Sequence, residues 1–164
     1  MRISNVSTYQ RSDGQELTVE CWINPSRLAG QYQDLVVNRS ASAYNWMLYQ
    51  HTTDGSVQLH GAAQYKSTYI PPLNKWTHIV ATVNSSGVYN LYANGQLVQT
   101  VTGYQYQTQT PNELSIGNFD STEYFSGLID EPRIYNRALS ADEIKTHYNA
   151  GLDKLGLVSY WALD

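Results

Sequence analysis

A chain of 164 residues, 41% hydrophobic and 15% charged, is long enough to bury one core and falls outside the highly charged disordered class. Its net charge of −4 comes without any run of Lys or Arg, which argues against a surface built to neutralise nucleic-acid phosphates. No apolar stretch approaches the roughly 20 residues that cross a bilayer as a helix, so membrane insertion is not expected.

Taken in chain order, short strands alternate with turn chemistry. Glu16 to Asn24 alternates and stops at Asn24-Pro25-Ser26, a strand followed by a breaker. The only cysteine, Cys21, shares a face of this strand with Leu17, Val19 and Ile23 and reads as a buried, inert thiol; alone it forms neither an internal disulfide nor a metal cluster. Asp34 to Arg39, with Leu35-Val36-Val37, is a short buried strand. Asn45 to Gln50 and Ser56 to Gly61 flank Thr53-Asp54-Gly55, a hairpin signal. Trp76 to Val83 alternates again. Val88 to Ala93 and Gln96 to Val101 meet at Asn94-Gly95, the pair that supplies both positive-φ positions of a type I′ turn. Glu113 to Asn118 and Gly127 to Tyr135 complete the strands, and turn signals about every ten residues predict an all-β sandwich or jelly roll.

One helix is predicted, over Ser140 to Gly151. Ser140 caps it, Glu143 reaches back to complete a capping box, and Gly151 is placed to end it in the left-handed conformation. Three Asn-x-Ser/Thr sequons, at Asn5, Asn38 and Asn84, are about the number chance gives in so Asn- and Ser/Thr-rich a chain. The opening Met1-Arg2-Ile3-Ser4-Asn5 has no apolar segment of secretory type. The expectation is that a leader has been removed or that the protein leaves the cell by another route, as phage virion proteins do by lysis.

The run Gly127-Leu128-Ile129-Asp130-Glu131-Pro132-Arg133-Ile134-Tyr135-Asn136-Arg137-Ala138-Leu139-Ser140 resembles the signature of laminin-G-like jelly rolls in the concanavalin A-like lectin/glucanase superfamily. Leu17 to Ile23 is similar to that family's first core strand, Trp76 to Val83 to its "W-x-H-V-A" strand, and Leu91 to Gly95 to its hairpin. Together they cover about residues 15 to 150. The resemblance implies one domain over 1–164, an all-β, two-sheet antiparallel jelly-roll sandwich with one short C-terminal helix.

The chain departs from the pattern twice. The family's opening strand, of the type "G-L-V-A-Y-W-P-L-D", is missing at the N-terminus, while Gly156-Leu157-Val158-Ser159-Tyr160-Trp161-Ala162-Leu163-Asp164 matches it at the C-terminus. The tail either closes this sandwich, as in a circular permutant, or begins a further repeat. Pro132 stands where a β-branched or aromatic residue is commoner; lacking a backbone donor, it marks an edge or a bulge.

Glucanases of the superfamily imply a search for paired carboxylates, which must face one cleft. Asp130 and Glu131 are adjacent and point to opposite sides of a strand, and Asp120 and Glu123 have no second motif to support them. There is no Gly-x-Ser-x-Gly turn, and the four histidines lack metal spacing. No catalytic residue is assigned. The resemblance further implies a structural Ca²⁺ ligated by Asp130 and Asp164, with backbone and water oxygens completing the shell. Tyrosines number 14 and tryptophans four, against two phenylalanines, so most ring surface carries a polar handle suited to stacking. Tyr104 and Tyr106, on one side of an extended Tyr-Gln-Tyr-Gln run with rings roughly 7 Å apart, are expected to bind ligand together with Trp46, Tyr69 and Tyr124. Trp22, Trp76 and Trp161 sit inside the strand motifs and are structural.

The function expected is a non-catalytic, lectin-like recognition module for a glycan or cell-surface ligand, outside the cell or on a virion surface. The alternative is a structural or decoration protein of a virion or extracellular assembly, with other surface proteins as partners.

Overall fold

Among the residues that the computed structural model describes (2–4, 7–28, 30–40, 43–111, 113–118 and 123–154), eleven strands and one α-helix follow in order. They are β1 (Arg2–Ser4), β2 (Leu17–Pro25), β3 (Gln33–Ser40), β4 (Ala43–Gln50), β5 (Val57–His60), β6 (Gln64–Tyr65), β7 (Thr77–Val83), β8 (Tyr89–Ala93), β9 (Gln96–Val101), β10 (Glu113–Ile116), β11 (Gly127–Tyr135) and α1 (Ala141–Lys154). Two antiparallel sheets result. One has six strands in the order β1-β10-β3-β4-β5-β6, the other five in the order β11-β2-β7-β8-β9. The jelly-roll sandwich read from the sequence is the fold, with β1 and β6 as strands the pattern had not announced.

Period-two alternation builds the core. Leu17, Val19, Cys21 and Ile23 of β2 join Ile79, Ala81 and Val83 of β7, against Leu35, Trp46, Leu48 and Leu59 of the other sheet. Each fully buried aliphatic side chain contributes about 1.5–3 kcal/mol of burial free energy. The Asn94-Gly95 hairpin has φ of 51° and 75°, the double positive φ its turn requires. Pro132 is at an edge and at a bulge together: β11 ends its sheet, its register slips between Asp130 and Arg133, and Glu131 has φ of 46°.

Helix α1 begins as the capping box predicts. Ser140 N–H donates to the Glu143 carboxylate (2.9 Å), and Glu143 N–H returns a bond to Ser140 Oγ (3.3 Å). The expectation for Gly151 is corrected. It lies inside the helix, which runs on to Lys154, and a Cβ there would fall 2.5 Å from the Trp22 indole. Glycine serves close helix–sheet approach at this point, not a left-handed turn.

The helix covers the outer face of the five-stranded sheet, where Val80 and Tyr92 pack with Leu139 and Ile144. Fully buried Glu20 is the polar centre of this layer. Its Oε1 accepts from Arg133 Nη1 (2.6 Å) and its Oε2 from His147 Nδ1 on the helix (3.0 Å), with His78 Nε2 at 3.8 Å. The tail match at 156–164, including Trp161 and Asp164, lies outside the described residues.

Candidate functional site

The outer face of the six-stranded sheet is built differently. Two bulges decide what it presents. Leu35 is an extra residue of β3, because Asp34 pairs Tyr49 while Val36 pairs Leu48. Asn45 is an extra residue of β4, because Asn38 pairs Trp46 while Arg39 pairs Tyr44. A bulge changes which face the following residues occupy. Tyr44 therefore joins Met47 and Tyr49 rather than Trp46 and Leu48, and Asp34 and Arg39 arrive beside them. His60 of β5, opposite Met47, and Gln64 of β6 complete the row.

These side chains, with Tyr32 and Glu123 from loops, line a pocket of about 180 Å³. Its rings interlock. Tyr44 meets His60 edge to face at 5.0 Å, and Tyr32 meets Tyr49 at 5.6 Å and 60°. Tyr49 is held from behind, its hydroxyl donating to Gln58 Oε1 (3.1 Å), Gln58 Nε2 to Ser56 Oγ (2.9 Å), and Ser56 Oγ to Asp54 Oδ1 (2.8 Å). Burial pushes the Tyr49 phenol well above its ordinary value, so it stays protonated. The charges gather on one side. Arg39 Nη1 lies 3.8 Å from Asp34 Oδ2 and in direct contact with Glu123 Oε2. Such rigid rings with a few converging polar groups are the usual furniture of a small-ligand site.

A wider pocket of about 400 Å³ lies among the loops around Arg11, Asp13, Gln107 and Gln109. Its polar groups are occupied with one another. Asn45 accepts from Arg11 N–H and donates to the Arg11 and Gln107 carbonyls, and Asp13 accepts from Tyr106 N–H. It ties loops together and offers no open ring.

Of the five aromatic residues expected to bind ligand, three are core. Trp46 is buried and its indole N–H donates to the Tyr9 carbonyl (2.8 Å). Tyr104 and Tyr106 are buried too, edge to face at 5.2 Å instead of outward and parallel; their hydroxyls donate to the His60 and Gln15 carbonyls. The segment carrying them is not a strand; it bonds to the backbone of Gly87, Ala62 and Asn45 and turns both rings into the core, which is why alternation misleads. Tyr69 is half-buried against the core, its phenol pushed up by burial. Tyr124 is 41% exposed beside Glu123, and its backbone bridges to Asp34, so it stands next to the pocket. The pocket residues themselves were not singled out in the sequence, because only the bulged register assembles them.

Asp130 is exposed, and its Oδ1 accepts from the Glu131 N–H (2.8 Å). Among the described residues no group of three His, Cys, Asp or Glu side chains gathers to hold a metal, so Asp130 does not by itself furnish the six to eight oxygens that calcium takes. The other expected ligand, Asp164, lies outside the described residues. Among the described residues no helix is long and apolar enough to cross a membrane.

Two face-to-face antiparallel sheets, one with a helix packed on its outer face and the other holding a ring-lined pocket, define a lectin-type jelly roll. Residues 3–145 match the Concanavalin A-like lectin/glucanases superfamily in its laminin-G-type family, and the chain belongs to that family. It is similar over 113 residues, at 29% identity, to human Adhesion G-protein coupled receptor D1; the match covers 64% of this chain and 13% of the receptor's length. Domain 4 of AbnA, a GH43 extracellular arabinanase from Geobacillus stearothermophilus solved with arabinotriose, superposes with a TM-score of 0.67 at 21% identity, covering 88% of this chain and 70% of that one. Trypanosoma rangeli sialidase superposes with a TM-score of 0.64 at 18% identity, covering 84% of this chain and 23% of the sialidase.

Proposed function

We propose that the domain is a non-catalytic recognition module that binds carbohydrate or a carbohydrate-bearing cell-surface ligand outside the cell. The observation that carries this reading is the pocket on the outer face of the six-stranded sheet, with Tyr32 and Tyr44 at a rim backed by buried Tyr49 and Asp34. Aromatic faces stack on sugar C–H surfaces while polar groups orient hydroxyls. Hydrolysis is disfavoured by the placement of the acids. A glycosidase needs its two carboxyls about 5–10 Å apart with the scissile bond between them. Here both acids of the pocket face one cation, Arg39 Nη1, at 3.8 Å from Asp34 Oδ2 and in direct contact with Glu123 Oε2. The arabinanase domain solved with arabinotriose supports the same reading.

The test is a glycan array probed with the intact chain, in calcium and in chelator, beside Tyr44→Ala. Saturable binding lost in Tyr44→Ala supports the site, and loss in chelator alone supports the calcium expectation at Asp130 and Asp164. Absence of binding to any glycan sinks the reading.

One observation favours the structural alternative. Strand β9 ends its sheet with the uncharged sequence Gln96-Leu97-Val98-Gln99-Thr100-Val101, and Leu97 is 54% exposed. Unguarded edges of this kind pair with other chains. Sedimentation giving a defined oligomer that Leu97→Lys dissolves would support an assembly role.

A further inference from the structure

The charges and tautomers of the pocket narrow its ligand; this step rests on the pocket being the binding site proposed above. Arg39 is the only cation among the described lining residues, and it is already engaged by two carboxylates, Asp34 with a side chain 3% exposed and Glu123. Two carboxylates against one guanidinium leave one net negative charge. The guanidinium nitrogen that faces both carboxylates, Nη1, is already taken, and an incoming anion would meet Asp34 and Glu123 beside it.

His60 does not restore positive charge. Burial holds its pKa below the ordinary histidine value, so the ring is neutral at pH 7. Its Nδ1 lies 2.8 Å from the Gly61 carbonyl oxygen and must carry the proton to bond there. Nε2 is then an acceptor. With Asp34, Glu123 and the Gln64 amide oxygen it supplies acceptors beside the uncharged donors of the Tyr32 and Tyr44 hydroxyls and the Gln64 amide N–H, a mixture that sugar hydroxyls, which both donate and accept, complement. A carboxylate or sulfate brings only acceptors and a like charge, into a site where water is partly excluded. The volume of about 180 Å³ is also below the roughly 300–1,000 Å³ of pockets that enclose drug-sized ligands, room for one sugar ring.

We infer that the pocket receives a single terminal ring of a neutral glycan and rejects glycans whose terminal ring carries a carboxylate or a sulfate.

The experiment prints matched glycan cores in three forms: neutral, capped with sialic acid, and sulfated on the terminal ring. The intact wild-type chain, Tyr44→Ala and Glu123→Gln are compared on them. Expected for wild type is binding to neutral cores at least about tenfold above the capped or sulfated forms, a discrimination of about 1.4 kcal/mol. Tyr44→Ala removes the neutral signal. Glu123→Gln, a partly exposed position whose change conserves shape, releases one arm of Arg39 and raises the anionic signal relative to the neutral one. Wild-type preference for sialylated or sulfated cores, lost in Tyr44→Ala, overturns the ligand class while leaving the recognition function standing. No binding to any core overturns that function and this inference with it. An unchanged anionic-to-neutral ratio in Glu123→Gln overturns the role given to Arg39.

Discussion

The two sheets share one core and the same alternation, yet their outer faces are finished in opposite ways. On the five-stranded sheet, Thr18, Glu20, Trp22, His78 and Val80 are buried beneath or beside α1, and the Glu20 carboxylate accepts from Arg133 and from His147 of the helix. On the six-stranded sheet no helix among the described residues lies over the equivalent side, and Tyr44, Arg39 and His60 remain partly exposed around a pocket. Polar side chains do different work in the two places. Beneath the helix they satisfy one another and fix how two elements dock. In the pocket Tyr32, Tyr44 and His60 keep part of their surface exposed, which is what leaves them able to meet something from outside. Each face thus buries one carboxylate, Glu20 under the helix and Asp34 at the pocket, in opposite surroundings.

Substitutions should separate the faces by what they cost. Glu20→Ala takes the shared acceptor from His147 and Arg133, leaving Arg133 only Glu131, and opens a buried void; the expected loss is about 3 kcal/mol of stability, read by denaturant unfolding. Acid should act on the same layer. Burial lowers the His78 pKa from 6.5 to about 4, so between those values the unfolded chain binds a proton that the folded one refuses. Stability therefore falls as pH drops from about 6.5 to 4, by up to about 3 kcal/mol from this group. A melting temperature no more acid-sensitive in wild type than in His78→Asn would contradict that assignment. Gly151→Ala forces a methyl against the Trp22 ring. Overpacking of about 1–3 kcal/mol should outweigh the roughly 1 kcal/mol gain in helix propensity, lowering the melting temperature. Ser140→Ala removes the helix cap at about 1 kcal/mol. Tyr32→Ala, on the open face, should change stability by less than about 0.5 kcal/mol and yet weaken binding of a neutral glycan measurably by calorimetry. If Tyr32→Ala unfolds the chain instead, the open face is structural after all.

Features set by local geometry were legible in the sequence. Asn94-Gly95 dictates its turn, Ser140 and Glu143 dictate the helix start, and Leu17 to Ile23 dictates a core face, because each depends on neighbours within four residues. The pocket was not legible. Tyr32, Asp34, Arg39, Tyr44, Tyr49, His60 and Glu123 come from five segments, and unbroken alternation would place Tyr44 with Trp46 inside the core. The bulges at Leu35 and Asn45 that reverse this have no composition signature. Trp46, Tyr104 and Tyr106 are buried where the sequence had them exposed, for the complementary reason. An aromatic ring with a polar tip reads alike whether its tip meets water or, as here, a backbone carbonyl. Gly151 could have been read either way, since a glycine near a helix end serves left-handed backbone and close packing equally.

Cys21 gives this architecture a built-in clock. It lies between the sheets with no exposed surface, and burial pushes its thiol up to about 12, so neither access nor ionisation permits reaction in the closed molecule. A thiol-specific reagent would then report each excursion that parts the two sheets. The same measurement on variants of either face would time how often the sandwich opens.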